Sequence, residues 1–313
     1  MHQNAKIFVA GHAGMVGSAL LRQLAAAGYH NVVTRSRAEL DLTDAAATAA
    51  FFAAERPEYV FFAAGKTGGI YANNTYRADF IYENIVMQSN VIHQAFLHEV
   101  HKLLFYACSC IYPKDAPQPL DEEALLTGSL EPTNEPFAIA KLAGLKMCES
   151  YNRQYGTDFM TVIPTNLYGP NQNYDPLNAL VMPSLIDKFH KAKRSGAAEV
   201  EIWGSGAQTR DFLFVDELAE ASLYLMENFE GNLVLNVGMG RDYSIAEIAE
   251  LVKQEVGYAG AVVFDRSRPD GHARKLQDVS KLTALGWQSK VSLEEGLRRT
   301  YADYLARFAG GAA

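Results

Sequence analysis

The fold of this chain is decided by residues 6–28, which read KIFVAGHAGMVGSALLRQLAAAG. The first part, 6–11, is a short apolar run typical of a buried strand, and 18–28 has the amphipathic pattern of a helix that ends at a glycine. Three glycines lie at the junction, Gly11, Gly14 and Gly17. Glycines in this context permit a tight turn and let backbone N–H groups approach an anion at the positive end of the helix. The stretch therefore predicts a βα unit with a pyrophosphate site.

The same alternation of strand and helix continues along the first half of the chain. Further strand-like runs are NVVTRS (31–36), YVFFAAG (59–65), KLLFYACS (102–109) and FMTVIPTN (159–166), with helical patterns between them. Continuous apolar strands that alternate with helices are typical of a parallel sheet covered on both faces. We therefore predict an α/β protein with a Rossmann-type doubly wound parallel sheet and a smaller α+β substrate domain.

The pattern of predicted elements changes after Asn166, where loops, a short strand and amphipathic helices replace the regular alternation of strand and helix. Two later segments, 211–227 and 233–238, again have the pattern of the first half. The predicted division is therefore interleaved. Residues 1–166 with 209–240 form the nucleotide-binding domain, and residues 167–208 with 241–308 form the substrate domain.

The composition of the chain excludes several classes of binding partner. The chain has 313 residues, 49% of them hydrophobic, and a formal net charge of −8. An acidic chain is a poor match for nucleic acid or anionic lipid. No apolar run approaches the ~20 residues of a membrane span, and three cysteines do not make a disulfide framework. We expect a soluble cytoplasmic protein without a metal site.

The tip of the second strand indicates which dinucleotide is bound. Arg35 and Arg37 stand where an acidic residue would favour free ribose hydroxyls, so they favour a 2′-phosphate and NADP over NAD. Solvated surface charge is the alternative interpretation of these arginines. The predicted cofactor contacts at the glycine turn are Gly11, Ala13, Gly14, Met15, Val16 and Gly17.

Longer segments carry a resemblance to a known family. They include GHAGMVGSAL, GGIYANNTYRADFIYENI, LEPTNEPFAIAK, PTNLYGP, WGSG, RDFLFVDELA and RPDGHARKL. In these the chain resembles the GDP-L-fucose synthases, which are GDP-4-keto-6-deoxymannose 3,5-epimerase/4-reductases of the extended short-chain dehydrogenase family. The resemblance implies a homodimer that binds NADP(H) and a GDP-sugar.

The same resemblance assigns individual residues. It places Lys141 and Asn166 at the cofactor, and Lys188, Trp203, Arg210 and Asp270 at the GDP-sugar. The chemistry of two of these side chains supports their assignment to the GDP-sugar. Arg210 can pair with a phosphate, and Trp203 offers a flat apolar surface.

The chain departs from the family pattern where the chemistry is done. Phe137 replaces the tyrosine of the Tyr-x-x-x-Lys pair, Cys108 replaces a serine, and Leu180 replaces a histidine. The chain retains Lys141 and Cys110. In the family pattern the cysteine is one of two epimerisation residues.

Each replacement removes or weakens a proton-transfer group. Reduction of a C4 ketone leaves an alkoxide that needs a proton, and Phe137 has none to donate. Cys108 is a weak substitute donor, since thiols hydrogen-bond weakly. Epimerisation needs an acid and a base on opposite faces of the carbon; Cys110 can act on one face, but Leu180 cannot act on the other. Water, His190 or a substrate hydroxyl are the remaining candidates.

Three interpretations follow from these departures. The chain is an epimerase/reductase with altered or weakened chemistry, a catalytically inactive GDP-sugar and NADP-binding homologue, or a deliberately inactivated sequence. We favour the enzyme, because the glycine turn, Lys141, Cys110 and the GDP-sugar segments are intact.

Overall fold

The structure of the protein is a computed structural model that describes residues 1–175, 178–268, 270 and 272–308. Its strands are β1 Ile7–Ala10, β2 Val32–Val33, β3 Tyr59–Phe62, β4 Lys102–Tyr106, β5 Phe159–Pro164, β6 Asn166–Tyr168, β7 Glu199–Trp203, β8 Thr209–Phe214, β9 Val234–Val237, β10 Asp242–Ser244, β11 Ala261–Asp265 and β12 Arg274–Lys275. Its helices are α1 Met15–Ala26, α2 Ala45–Glu55, α3 Ile70–Thr75, α4 Arg77–Leu97, α5 Glu135–Tyr155, α6 Val181–Ser195, α7 Val215–Asn228, α8 Ile245–Val256, α9 Ser280–Ala284 and α10 Leu293–Phe308. Two 3₁₀ turns lie at Ser109–Ile111 and Glu122–Ala124. No helix within these ranges is long and apolar enough to cross a membrane.

The main sheet has six strands in the order β2-β1-β3-β4-β5-β9, and every neighbouring pair is parallel. The chain leaves β1 for β2 on one side and returns to β3 on the other. Such a reversal opens a crevice at the carboxyl ends of the strands, which is where open α/β sheets bind their ligands.

Apolar residues cover both faces of this sheet. On one face Phe52 of α2, Ile92 of α4 and Leu145 of α5 belong to a single buried cluster. On the other face Leu20 of α1 and Leu218 of α7 belong to a second cluster. The predicted doubly wound α/β fold is therefore confirmed.

Smaller sheets follow the main one. Strand β8 pairs with β6, β10 and β12, and β7 pairs with β11. A third buried cluster joins these strands to α6, α8 and α10 through Ile202, Phe189, Ile248 and Leu297.

The placement of β8 differs from the sequence interpretation, which grouped this segment with the first half of the chain. The strand lies in the second sheet, whereas the helix that follows it, α7, packs against the main sheet. A strand's apolar pattern reports burial but not which sheet buries it. The predicted domain boundaries stay a prediction.

Helix α5 lies very close to β4, and a glycine makes this possible. A Cβ added to Gly144 would stand 2.5 Å from Cζ of Phe105 and 3.0 Å from Cδ of Gln88. The amide of Gln88 also donates to the carbonyl of Ala140, at 2.8 Å, and so links α4 to α5. The depth of α5 against the sheet sets the position of every side chain on its inner face.

We predict that Gly144→Ala lowers the free energy of unfolding by about 1–3 kcal/mol, because the added methyl group overpacks the contact with Phe105. Denaturant unfolding measures this difference. The matched control is Ala143→Ser, a change at the exposed neighbouring position that should alter stability by less than about 0.5 kcal/mol. Equal stability of the two variants would contradict the close packing of α5.

Candidate active site

The glycine turn lies in the crevice between β1 and β3. Gly11 has φ +81°, and a Cβ there would stand 2.7 Å from Cα of Ala64, which follows β3. Gly14 precedes the first turn of α1 without any side-chain cap, and both Ala13 and Gly14 are exposed. Uncapped N–H groups at a helix N-terminus bind anions well. The turn therefore fits a pyrophosphate.

The remaining predicted contacts of the turn have different surroundings. Met15 and Val16 are half-buried on the first turn of α1. Gly17 is buried and faces the backbone of Gly11, so it serves helix–strand packing. Sequence analysis did not single out His12, whose buried Nδ1 has no hydrogen-bond partner among the residues that the structure describes.

The two arginines beyond β2 are not equivalent. Arg35 forms an ion pair with Glu55, donates to the carbonyl of Thr34 and lies over the ring of Phe51 at 5.5 Å. Arg37 is 71% exposed, and its ion pairs with described residues are longer, at 3.5 Å to Asp41 and 3.4 Å to Glu83. Arg37 is therefore the more available of the two for a 2′-phosphate.

Lys141 links α5 to the end of β4. Its ammonium donates to the carbonyl of Tyr106 at 2.9 Å and lies 4.8 Å from the ring centroid of Phe105. Burial lowers the pKa of Lys141 to about 8. Phe137 lies one turn earlier on the same helix face, with its ring centroid 5.9 Å from this ammonium. The structure thus brings the two members of the motif together, one of them without a hydroxyl.

Leu180 is connected to this region through a series of intermediate residues and is not in contact with Phe137 or Lys141 among the contacts of the described residues. Phe137 makes an edge contact with Phe80, with ring centroids 6.1 Å apart. Phe80 in turn borders Gly68, and the adjacent Gly69 lies against the carbonyl of Ala179. Leu180 follows directly as the exposed residue before α6. An exposed leucine at this place contributes apolar surface and no proton.

The two cysteines near β4 are joined in a disulfide, which the sequence analysis did not predict. Cys108 immediately precedes the 3₁₀ turn Ser109–Ile111 that follows the carboxyl end of β4, and Cys110 lies within this turn. In this form neither sulfur carries a proton. The catalytic assignments of Cys108 and Cys110 therefore concern the reduced protein and stay predictions.

Three of the predicted substrate residues surround the end of β7. Trp203 is 60% exposed, with the guanidinium of Arg268 at 4.9 Å and the ammonium of Lys188 at 5.9 Å from its ring. The carboxylate of Asp270 accepts hydrogen bonds from the hydroxyl and backbone N–H of Ser205, at 2.6 and 2.7 Å. These bonds lower the pKa of Asp270. Its role in this structure is to hold the loop after Trp203.

Arg210 has a cationic neighbour that sequence analysis missed. Lys275 of β12 is the register partner of Arg210 in β8, so the two side chains share one face of the sheet. Burial, with the charge of Arg210 adding to it, lowers the pKa of Lys275 to about 8. Like charges in opposed positions destabilise a sheet. A pair of cations held in this way is suited to a diphosphate.

Two other candidates have hydrogen-bond partners within the protein, and the cofactor contact of Asn166 stays a prediction. The amide of Asn166 donates to the carbonyl of Asp211 at 2.9 Å and so helps to join β6 to β8. His190 is buried between α6 and α10, where its Nδ1 lies 2.9 Å from the hydroxyl of Tyr301. Ten residues along a helix separate it from Leu180 by about 15 Å. His190 therefore does not replace the missing group at position 180.

A family model for the NAD dependent epimerase/dehydratase family matches residues 7–238. The chain belongs to this family, which makes it an enzyme of a nicotinamide-dependent class. The match covers the glycine turn, Lys141 and Arg210 together.

Within the family the chain belongs with the GDP-L-fucose synthases. GDP-L-fucose synthase of Escherichia coli (strain K12) is 53% identical over 309 residues, which cover 96% of each chain. A GDP-L-fucose synthetase of Naegleria fowleri bound to NADP has a TM-score of 0.93 at 27% identity, over 99% of this chain and 95% of the other. A GDP-mannoheptose C4 reductase of Campylobacter jejuni with NADP bound has a TM-score of 0.89 at 43% identity, over 97% and 99%. The resemblance drawn from the sequence is confirmed.

Proposed function

We propose that the protein is an NADP(H)-dependent enzyme of GDP-4-keto-6-deoxy-sugar metabolism whose reductase and epimerase steps are altered or weakened. The observation that carries this proposal is the ring of Phe137 beside the buried ammonium of Lys141. The scaffold of the family is present, and its proton donor is not.

Reduction would use the crevice above β1 and β3. The cofactor, when bound, supplies a hydride to the ketone at C4. Lys141 is mostly protonated at pH 7 with a pKa of about 8, and its ammonium donates a hydrogen bond to the carbonyl of Tyr106. Phe137, the neighbour of this ammonium at the motif's first position, has no hydroxyl with which to protonate the oxygen that receives the charge. Loss of a general acid typically slows such a step by ~10²–10⁴.

Epimerisation would likewise lack one of its two proton-transfer groups. A reduced Cys110 could take a proton from the carbon next to the ketone as a thiolate. Leu180 cannot return one from the other face, and His190 is held far along α6. Exchange of the substrate proton with solvent is therefore the step that Cys110 alone can support.

Several contacts support a GDP-sugar as the ligand. Arg210 and Lys275 offer two positive charges to a diphosphate. Trp203, with two cations against its ring, offers a flat surface to the rest of the nucleotide. Relatives include enzymes named for a fucose and for a heptose, and we favour the 6-deoxyhexose.

The deciding experiment restores the hydroxyl. Phe137→Tyr should raise the rate of NADPH oxidation with GDP-4-keto-6-deoxymannose by ~10²–10⁴, because it returns a general acid next to Lys141. Phe308→Tyr, which adds the same hydroxyl at an exposed position at the end of α10, is the matched control. Deuterium incorporation at C3 and C5 in heavy water reports the epimerase half-reaction independently.

Two results would contradict the proposal. Production of GDP-L-fucose by the unchanged chain at a rate ordinary for its relatives would show that Phe137 does not limit the reaction. Neither NADPH loss nor deuterium uptake in the Phe137→Tyr variant would show that the substrate is a different one.

The two anion sites are separable by mutation. We expect Arg37→Ala to weaken NADPH binding about tenfold or more and to leave GDP binding unchanged, since one charge-assisted contact is worth at least ~1.4 kcal/mol. Arg210→Ala should do the reverse. Titration calorimetry of both variants with both ligands measures this, and each variant is the control for the other. Loss of both ligands in either variant would point to misfolding instead.

A second candidate function is a catalytically inactive GDP-sugar and NADP-binding protein. It is favoured by the fact that the replacements fall on proton-transfer positions while the binding residues remain. A deliberately inactivated sequence has the same phenotype. Turnover of any 4-keto nucleotide sugar by the unchanged chain excludes both.

We further propose a homodimer formed through α4 and α5. Tyr82, Leu97 and Tyr155 are exposed on these two helices, and Tyr155 stacks on Phe96 with ring centroids 4.2 Å apart. Exposed apolar side chains on adjacent helices are typical of an interface. A cytoplasmic location stays a prediction.

The dimer is tested by light scattering after size-exclusion chromatography. The unchanged chain should have twice the chain mass of 34.4 kDa. Tyr155→Glu should have the single mass, because a carboxylate is costly to bury in an interface. Val263→Glu, on β11, makes the same kind of change at another exposed apolar residue and should remain dimeric. A monomeric unchanged chain would contradict the proposal.

A further inference from the structure

Cys108 and Cys110 form a closely placed pair at the end of β4. Their Cα atoms are 5.3 Å apart, within the usual range for disulfides. Ser109, between the two cysteines, and Ile111, after the second one, are both buried. The N–H of Ile111 also donates to the carbonyl of Cys108, so the turn that carries the pair is anchored. The backbone of this turn thus places the two cysteines at a separation that a disulfide can span.

Reagents can reach this pair but not the third cysteine. Cys108 and Cys110 are both half-buried and so keep part of their surface at solvent, whereas Cys148 is 1% exposed inside α5. Burial also raises the pKa of Cys148 to about 12, which leaves it without reactive thiolate. Cys148 therefore serves as an unreactive internal reference.

We propose that Cys108 and Cys110 are a redox-modification site, a dithiol that closes to a disulfide and thereby withdraws the Cys110 sulfur from the substrate. The co-reactant belongs to the class of low-molecular-weight disulfides. One cysteine thiolate attacks such a disulfide, forms a mixed disulfide and releases one thiol. The second cysteine then attacks the mixed disulfide, releases the other thiol and closes the ring. Two cysteines lose two electrons and two protons, and the reagent gains both.

The consequence for catalysis follows from position and rests on the proposed function. Tyr106, whose carbonyl binds Lys141, is only two residues before Cys108, so the pair stands at the edge of the sheet where the ketone would be held. A sulfur in a disulfide can neither remove nor return a proton. Closure should stop the proton exchange that Cys110 supports and leave the cofactor turn and the cation pair intact.

The bond itself is tested first, without any substrate. The full chain is reduced, freed of reductant, treated with oxidised glutathione, then unfolded in guanidinium chloride at neutral pH with N-ethylmaleimide present, and digested with trypsin. Residues 103–114 carry both members of the pair, and residues 147–153 carry Cys148. We expect the first peptide to take up no label and no glutathione after oxidation but two labels after reduction. The second peptide should take up one label in both cases.

The variant Cys108→Ser distinguishes a resolving pair from a single reactive cysteine. Without a second thiol, the reaction at Cys110 should stop at the mixed disulfide, so the peptide of residues 103–114 should retain one glutathione. Two labels, or a bound glutathione, on that peptide from the oxidised unchanged chain would overturn the proposal.

Proton exchange tests the consequence separately. Deuterium uptake by GDP-4-keto-6-deoxymannose should fall at least tenfold on oxidation and return on reduction. Uptake that is equal in both forms would overturn the catalytic consequence while the peptide result stands. Absence of uptake in the fully reduced chain would count against the proposed function, since the thiols are then free and the substrate is still unchanged.

Discussion

The hydrogen bond from the buried ammonium of Lys141 to the carbonyl of Tyr106 is the interaction on which the rest of the site depends. It fixes α5 against the carboxyl end of β4 and so sets where Phe137 and the cysteine pair lie. Burying this charge opposes folding, as its lowered pKa shows. Because the folded state binds fewer protons here than the unfolded one, the cost is full below pH ~8 and declines as the pH rises towards the ordinary lysine value. The ring of Phe105 offsets part of it.

The main sheet could be predicted because the sequence pattern of each strand and helix lies within a few consecutive residues. Each strand is a short apolar run, and each is followed by a helix whose periodicity differs from it, as residues 6–28 show. The glycine turn was predictable for the same reason, since Gly11 and Gly14 stand at the junction of a strand and a helix. The position of Phe137 relative to Lys141 needed only the spacing of one helical turn.

What sequence alone did not provide depends on contacts between distant segments. Lys275 is 65 positions after Arg210, and only the pairing of β12 with β8 makes them neighbours. The same limit applies to β8, whose apolar pattern is satisfied by either sheet, and to Asp270, whose carboxylate proved to be bound by Ser205. The cysteine pair is close in sequence, but a two-residue separation does not reveal whether the backbone directs the sulfurs towards each other.

The opposed cations of β8 and β12 also link ligand occupancy to the rigidity of the second sheet. Strand β12 is only two residues long, and its partner residue carries the same charge as Lys275. Electrostatic repulsion therefore works to separate these strands when nothing lies between them. A polyanion that neutralises both side chains removes this repulsion in addition to its own binding free energy, and mass action favours the folded chain by RT ln(1 + [L]/Kd). A bound nucleotide would thus stabilise the pairing of β12 with β8 and, through it, the second sheet.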